Sequence, residues 1–139
     1  ILTVVSGIII FLLYSRVKQH WNLFLKFDAI GLGVFTIIGA SFAYGIFGLN
    51  FLVILLSGIL TAVGGGILRD VVVNQIPIVF IKEFYVSASF VGILSFYFIL
   101  YFGGDIYQAT FPSVLLVILL RLIGMKYNWN LPRARERSD

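Results

Sequence analysis

FLVILLSGILTAVGGGILRDVVV, residues 51–73, is the stretch on which the fold turns. It is apolar over most of its length and passes the roughly 20 residues that a helix needs to cross hydrocarbon. Yet Gly64, Gly65 and Gly66 interrupt it, and Arg69 and Asp70 follow within a turn and a half. Each glycine inside a helix costs about 1 kcal/mol relative to alanine, so the triplet predicts a bend. Irregular backbone at membrane depth is tolerated only where protein buries it or a wet cavity lies beside it, because lipid cannot satisfy freed amide groups. Close packing of small residues is the plain alternative. The two charges favour the cavity, since ionisable side chains inside a span face a bundle interior, a pathway or each other. Ser57, Thr61, Gly64, Gly65 and Leu68 also recur at helical spacing and give this helix one small, polar stripe.

Outward from this segment, apolar runs alternate with short polar punctuation. Residues 1–14 read as the tail of a transmembrane helix that starts before Ile1, and residues 15–26 as a basic connector. A second run, 23–47, confines Lys26 and Asp28 to its first turns. Its Ala29, Gly33, Thr36, Ala40 and Ala43 make a face that matches the stripe on 51–73. Residues 84–102 form an aromatic-rich span closed by Gly103, Gly104 and Asp105. The last span covers 106–127 and begins at Ile106 or at Pro112, a residue suited to a first helical turn, where its missing donor costs nothing. Residues 128–139 form a basic tail. The fold class is therefore an all-α integral membrane protein, with three spans over 23–102 and one more at 106–127.

Composition agrees. The 139 residues are 60% hydrophobic, 17% aromatic and 12% charged, whereas soluble domains run near 45–50% apolar and about 25% charged. The absence of cysteine excludes a disulfide scaffold and any thiolate metal or redox centre. The single histidine, His20, cannot build a zinc site. The net charge of +4 is spread over connectors and tail, which is the pattern of membrane topology and not of a nucleic-acid face. Scattered serines lack a base or lysine partner nearby, so no catalytic residue is expected and the chain reads as a non-enzyme. No cofactor is expected beyond a permeant monovalent cation and bound lipid.

Basic and non-basic connectors alternate. Arg16, Lys18 and Lys26 mark the first, Arg69 and Lys82 the third, and Lys126, Arg133, Arg135 and Arg137 the tail. Positive charge is retained inside, which predicts a cytoplasmic C-terminus. Tyr14, Trp21, Tyr44, Tyr85, Tyr101, Tyr127 and Trp129 sit at span ends, as interfacial aromatics do. Asp28 and Arg69 fall at one depth if their helices run antiparallel, so Asp28, Arg69 and Asp70 are expected to cluster at the inner mouth of a path. A plain helix-end role for Asp28 is the alternative. Arg121, Lys126 and Trp129 are expected at the lipid headgroups, with Arg121 snorkelling.

FDAIGLGVFTIIGA at 27–40, TAVGGGILRDVVVNQIP at 61–77, KEFY at 82–85 and NWNLPR at 128–133 together resemble the prokaryotic branch of the TRIC family, the trimeric intracellular cation channels. The triple glycine followed by Arg-Asp is the specific part. The resemblance implies a bundle of seven membrane helices, built as two inverted three-helix repeats plus a seventh helix. The runs here would be the end of helix three, the second three-helix repeat, and helix seven. It also implies a homotrimer with one ion pathway inside each protomer, lined by a glycine-kinked helix. Potassium or sodium would be the permeant ion, with the protein itself and membrane lipid as partners and no nucleic acid. On that reading Thr36, Ser57, Thr61 and Gly64 to Gly66 line the pathway, while Asp28, Arg69 and Asp70 hold or gate its inner end. A secondary transporter for a small neutral solute such as an amino acid fits the same features.

Overall fold

The computed structural model describes residues 21–72 and 84–127. The readings of residues 1–14, of the connector at 74–83 and of the tail at 128–139, Trp129 included, lie outside them. Among the described residues the chain is all helical: α1 (Trp21–Phe47), α2 (Phe51–Val72), α3 (Phe84–Tyr101) and α4 (Ile106–Lys126). Three stretches, Leu25–Phe47, Phe51–Leu68 and Ile106–Lys126, are long and apolar enough to cross a membrane, and Tyr85–Tyr101 is a shorter apolar helix. Pro112 falls inside α4, which starts at Ile106. It therefore costs the helix the bond its N–H would have made to the carbonyl four residues back.

Two tight turns fold the helices into hairpins. Between α1 and α2, Gly48 adopts φ 63° and its N–H donates to the Tyr44 carbonyl at 2.9 Å. Between α3 and α4, Gly103 adopts φ 87°, its N–H donates to Leu100 at 3.0 Å, and the Gly104 N–H reaches Ile99 at 2.9 Å. Any side chain at these left-handed positions costs about 1–2 kcal/mol. The Asp105 N–H then donates to Gln108 Oε1 at 3.2 Å and starts α4. Both hairpins reverse at the same end of the bundle, because α1 packs along α2, α4 and α3.

Missing side chains set the interhelical distances. At Gly39 an added Cβ would lie 2.7 Å from the Ser57 carbonyl oxygen, so the α1 and α2 main chains nearly touch there. The Ser57 hydroxyl donates to the Gly39 carbonyl at 3.0 Å across this contact. At Gly58 an added Cβ would lie 2.9 Å from the Thr36 carbonyl and 2.7 Å from Ile93 of α3. Gly33 stands against Val114 and Ile118 of α4, and Gly92 against Val117. This is small-residue packing, the normal way for helices to associate without a hydrophobic drive between them.

The core has two layers. Ile37, Ala40, Ala43, Ile54, Ile93, Phe96, Leu100 and Ala109 fill the end nearer the turns. Leu25, Leu32, Ala62, Val63, Tyr85, Ala88 and Val117 fill the other. Between them Thr36, Ser89 and Ser113 are fully buried. Thr36 Oγ1 donates to the Leu32 carbonyl at 2.6 Å and is hydrogen-bonded to Ser89 Oγ at 3.0 Å. With the one Thr36 proton committed to the carbonyl, the serine hydroxyl supplies the second bond.

The glycines divide into two classes that stability measurements should separate. Gly58→Ala, which drives a methyl into backbone, should destabilise the detergent-solubilised protein by about 1–3 kcal/mol. Gly64→Ala meets nothing within 4 Å and should leave stability unchanged or raise it by up to about 1 kcal/mol. Thermal melts of the two variants in one detergent test the ordering, and equal melting temperatures would contradict it.

Candidate functional site: a carboxylate-lined cavity

The ends of the four helices opposite the tight turns meet at one level, and there the side chains change character. Asp28 stands near the start of α1, the glycine triplet near the end of α2, Tyr85 at the start of α3 and Arg121 near the end of α4. A cavity of about 290 Å³ opens among the first three helices, lined by Asp28, Gly31, Leu32, Phe35, Ala62, Gly65, Gly66 and Tyr85. Of these, only Asp28 carries a formal charge.

The hydrogen-bonded α2 helix continues through Gly64, Gly65 and Gly66. What distinguishes these positions is space. No atom lies within 4 Å of where a Cβ would stand at Gly64 or Gly65, and at Gly66 the nearest is the Tyr85 hydroxyl at 3.4 Å. Gly31 on the facing helix is equally unobstructed. Glycine thus keeps the cavity open from both sides, where alanine would narrow it.

Tyr85 spans the cavity's edge. Its hydroxyl donates toward Asp28 Oδ1 at 3.5 Å, a long contact, while its ring is only 3% exposed. The guanidinium carbon of Arg121 lies 4.8 Å from the centre of that ring. Such a cation over an aromatic face contributes about 2 kcal/mol when desolvated. Arg121 is itself 2% exposed and interacts electrostatically with Asp28 and Tyr85. Neither its Nε nor its Nη2 meets an acceptor among the described residues. Arg121 and Tyr85 therefore do not sit at the lipid surface as their sequence positions suggested. A lone buried charge is far costlier than one beside a carboxylate and a π face, and the helix register offers Arg121 both.

The other expected site residues separate. Gly65 and Gly66 share the cavity with Asp28. Thr36 is in the core seam and Ser57 is engaged with Gly39. Thr61 packs its hydroxyl on Gly39, so none of these three borders the cavity. Arg69 and Asp70 lie on the last turns of α2, but their side chains lie outside the described residues. Lys126 is exposed, with Nζ 5.8 Å from the Tyr127 ring centre, as an interfacial residue should be. A second groove of about 400 Å³ lies between α1 and α4, lined by Val34, Ile37, Ile38, Ser41, Phe42, Thr110 and Val114. It has no charged group, whereas the Asp28 cavity carries a carboxylate that suits a cation. No group of three or more metal-ligating side chains occurs among the described residues.

The Tyr85 contacts are separable by mutation. Tyr85→Phe keeps the ring under Arg121 and should cost about 1 kcal/mol. Tyr85→Ala removes ring and hydroxyl and should cost about 3–5 kcal/mol. Thermal unfolding of both variants is the check, and a Phe variant as unstable as the Ala variant would shift the weight from the ring to the hydroxyl.

Comparison with known proteins places this arrangement. Residues 25–101, more than half of the chain, match a family described as "Glycine transporter". A UPF0126 membrane protein from Vibrio cholerae is 34% identical over 122 residues, covering 87% of this chain and 51% of that protein. The UPF0126 inner membrane protein YadS of Escherichia coli is 32% identical, again over 51% of its length. The chain thus spans about half the length of these two relatives. With the UPF0126 membrane protein YvgT of Bacillus subtilis the identity is 31%, over 99% of this chain and 67% of YvgT. Among solved structures, a TRIC cation channel superposes with a TM-score of 0.86 at 30% identity, covering 97% of this chain and 66% of that one. The TRIC orthologue of Rhodobacter sphaeroides gives 0.77 at 26% identity, over 87% and 62%. By sequence and by fold, the chain belongs to the TRIC family of membrane proteins, which the "Glycine transporter" description and the UPF0126 relatives also mark.

Proposed function

We propose that this chain forms part of a channel for monovalent cations, potassium or sodium, and that the cavity beside Asp28 belongs to the ion pathway inside each protomer. The observation that carries this reading is the carboxylate lining a cavity of about 290 Å³ whose α2 wall is Ala62, Gly65 and Gly66. Its likeness to two solved TRIC channels supports it.

The chemistry follows from the lining. A carboxylate facing a confined space in low dielectric attracts a cation and repels an anion, and the Tyr85 hydroxyl offers an oxygen to a partly dehydrated ion. Glycine leaves main chain accessible where any side chain would obstruct. In the present arrangement Tyr85 links the Gly66 wall to Asp28 across the cavity edge, so a bend of α2 at Gly64 to Gly66 would separate them and widen the path. Arg69 and Asp70, one to two turns further along α2, would then act at the inner end. The protein would assemble as a homotrimer in the cell membrane with its C-terminus in the cytoplasm, and lipid would fill the apolar groove between α1 and α4.

A second reading, a secondary transporter for a small neutral amino acid, has one observation in its favour: the family description names glycine. An ammonium group on Asp28 would use the same cavity. Recordings of the purified full-length protein in planar bilayers separate the two. Unitary currents with a reversal potential set by potassium over chloride are expected. Asp28→Asn should lower the potassium-to-chloride permeability ratio several-fold, and the triple replacement of Gly64, Gly65 and Gly66 by alanine should alter open probability. Absence of unitary steps together with saturable glycine uptake into proteoliposomes would favour the transporter.

A further inference from the structure

Asp28 lines the cavity, and over the face of the Tyr85 ring sits a fixed positive charge that is not part of the cavity lining. Arg121 is 2% exposed, is not among the cavity-lining residues, and has Nε and Nη2 without acceptors among the described residues. A guanidinium used to bolt helices together would be expected to spend its donors on carbonyls or on a bidentate carboxylate. This one is held by a ring face, and the ring's hydroxyl carries the link on to Asp28 Oδ1 at 3.5 Å. Its charge therefore bears on the cavity through space.

Conduction requires a site attractive enough to enter and weak enough to leave. A carboxylate in a confined cavity meets the first condition, since its attraction for a cation grows as the local dielectric falls. A permanent positive charge over the ring whose hydroxyl meets that carboxylate supplies the other. We propose that Arg121 is a specificity-determining residue, a built-in competitor whose guanidinium, set over the Tyr85 ring, holds down the affinity of Asp28 for a monovalent cation in the cavity. Arginine suits this role because its planar group lies flat on an aromatic face and does not lose its proton. The inference rests on the reading of the Asp28 cavity as a cation site.

The test uses the full-length protein in detergent, with thermal stability followed across potassium concentration at ionic strength kept constant with N-methyl-D-glucamine. Arg121→Gln and Arg121→Met, two neutral replacements of different polarity, keep the measurement available if one of them does not fold. In either, the potassium concentration giving half the stabilisation should fall by at least about fivefold, the lower end of couplings between neighbouring sites. Arg121→Lys, which retains the charge, should stay near wild type, and Asp28→Asn combined with Arg121→Gln should lose the potassium dependence. An unchanged half-effect concentration in the neutral variants overturns the proposal, as does an Arg121→Lys value equal to theirs. In bilayers, conductance of the neutral variants should saturate at correspondingly lower potassium. If wild type gives no unitary currents but the stability shift appears, the channel reading fails and the Arg121 assignment stands. Wild-type currents with no shift overturn the assignment alone.

Discussion

Main chain laid directly against main chain is the constraint from which the rest follows. At Gly39 against Ser57 and at Gly58 against Thr36 there is no room for even a methyl group. Such contacts have almost no tolerance for sliding, because moving either helix by one residue would place a side chain where none fits. They fix the axial register of α1, α2 and α3, while Gly33 and Gly92 do the same for α4. Register in turn decides which side chains share a level at the far end of the bundle. Asp28, Gly66, Tyr85 and Arg121 meet because four helices are locked near their middles.

That meeting also resolves an energetic difficulty. Arginine deep within an apolar bundle is expensive, and natural proteins accept it only beside an opposing charge or a polarisable partner. Here the aromatic face and the carboxylate share the task, and the same carboxylate lines the cavity. One small group of atoms thus both holds the buried arginine and lines the cavity, so the Asp28 environment cannot be altered without consequences for packing.

Much of this was legible in the sequence. Run lengths, the short glycine-rich connectors and the Gly-Gly-Gly-Ile-Leu-Arg-Asp segment gave the helical membrane class and the family. Antiparallel geometry set Asp28 at the depth of Arg69 and Asp70 on the facing helix; that the nearer Gly65 and Gly66 border its cavity came from the structure. Tyr85 and Arg121 escaped because both stand near the ends of apolar runs, where the usual occupant is an interfacial anchor. Nothing in one-dimensional spacing tells whether such a residue points to lipid or to the bundle. A tyrosine and an arginine on helices that form one hairpin, each near its open end, was the available signal. Thr36, Ser57 and Thr61 show the opposite case: all three stand on small-residue faces, where Thr36 is buried against Ser89, Ser57 bonds to Gly39 and Thr61 lies beside Gly39, and none of them lines the Asp28 cavity.

The two left-handed glycines have a mechanical consequence. Gly48 and Gly103 close their hairpins within a few residues at the end remote from the cavity, and hydrogen bonds at 2.9–3.0 Å brace each turn. With the turns braced at one end and the glycine contacts locking the middles, the carboxylate end is the part of the bundle left free to spread. Any displacement beyond those locks grows with distance from them, and the level it reaches last is that of Asp28 and Tyr85.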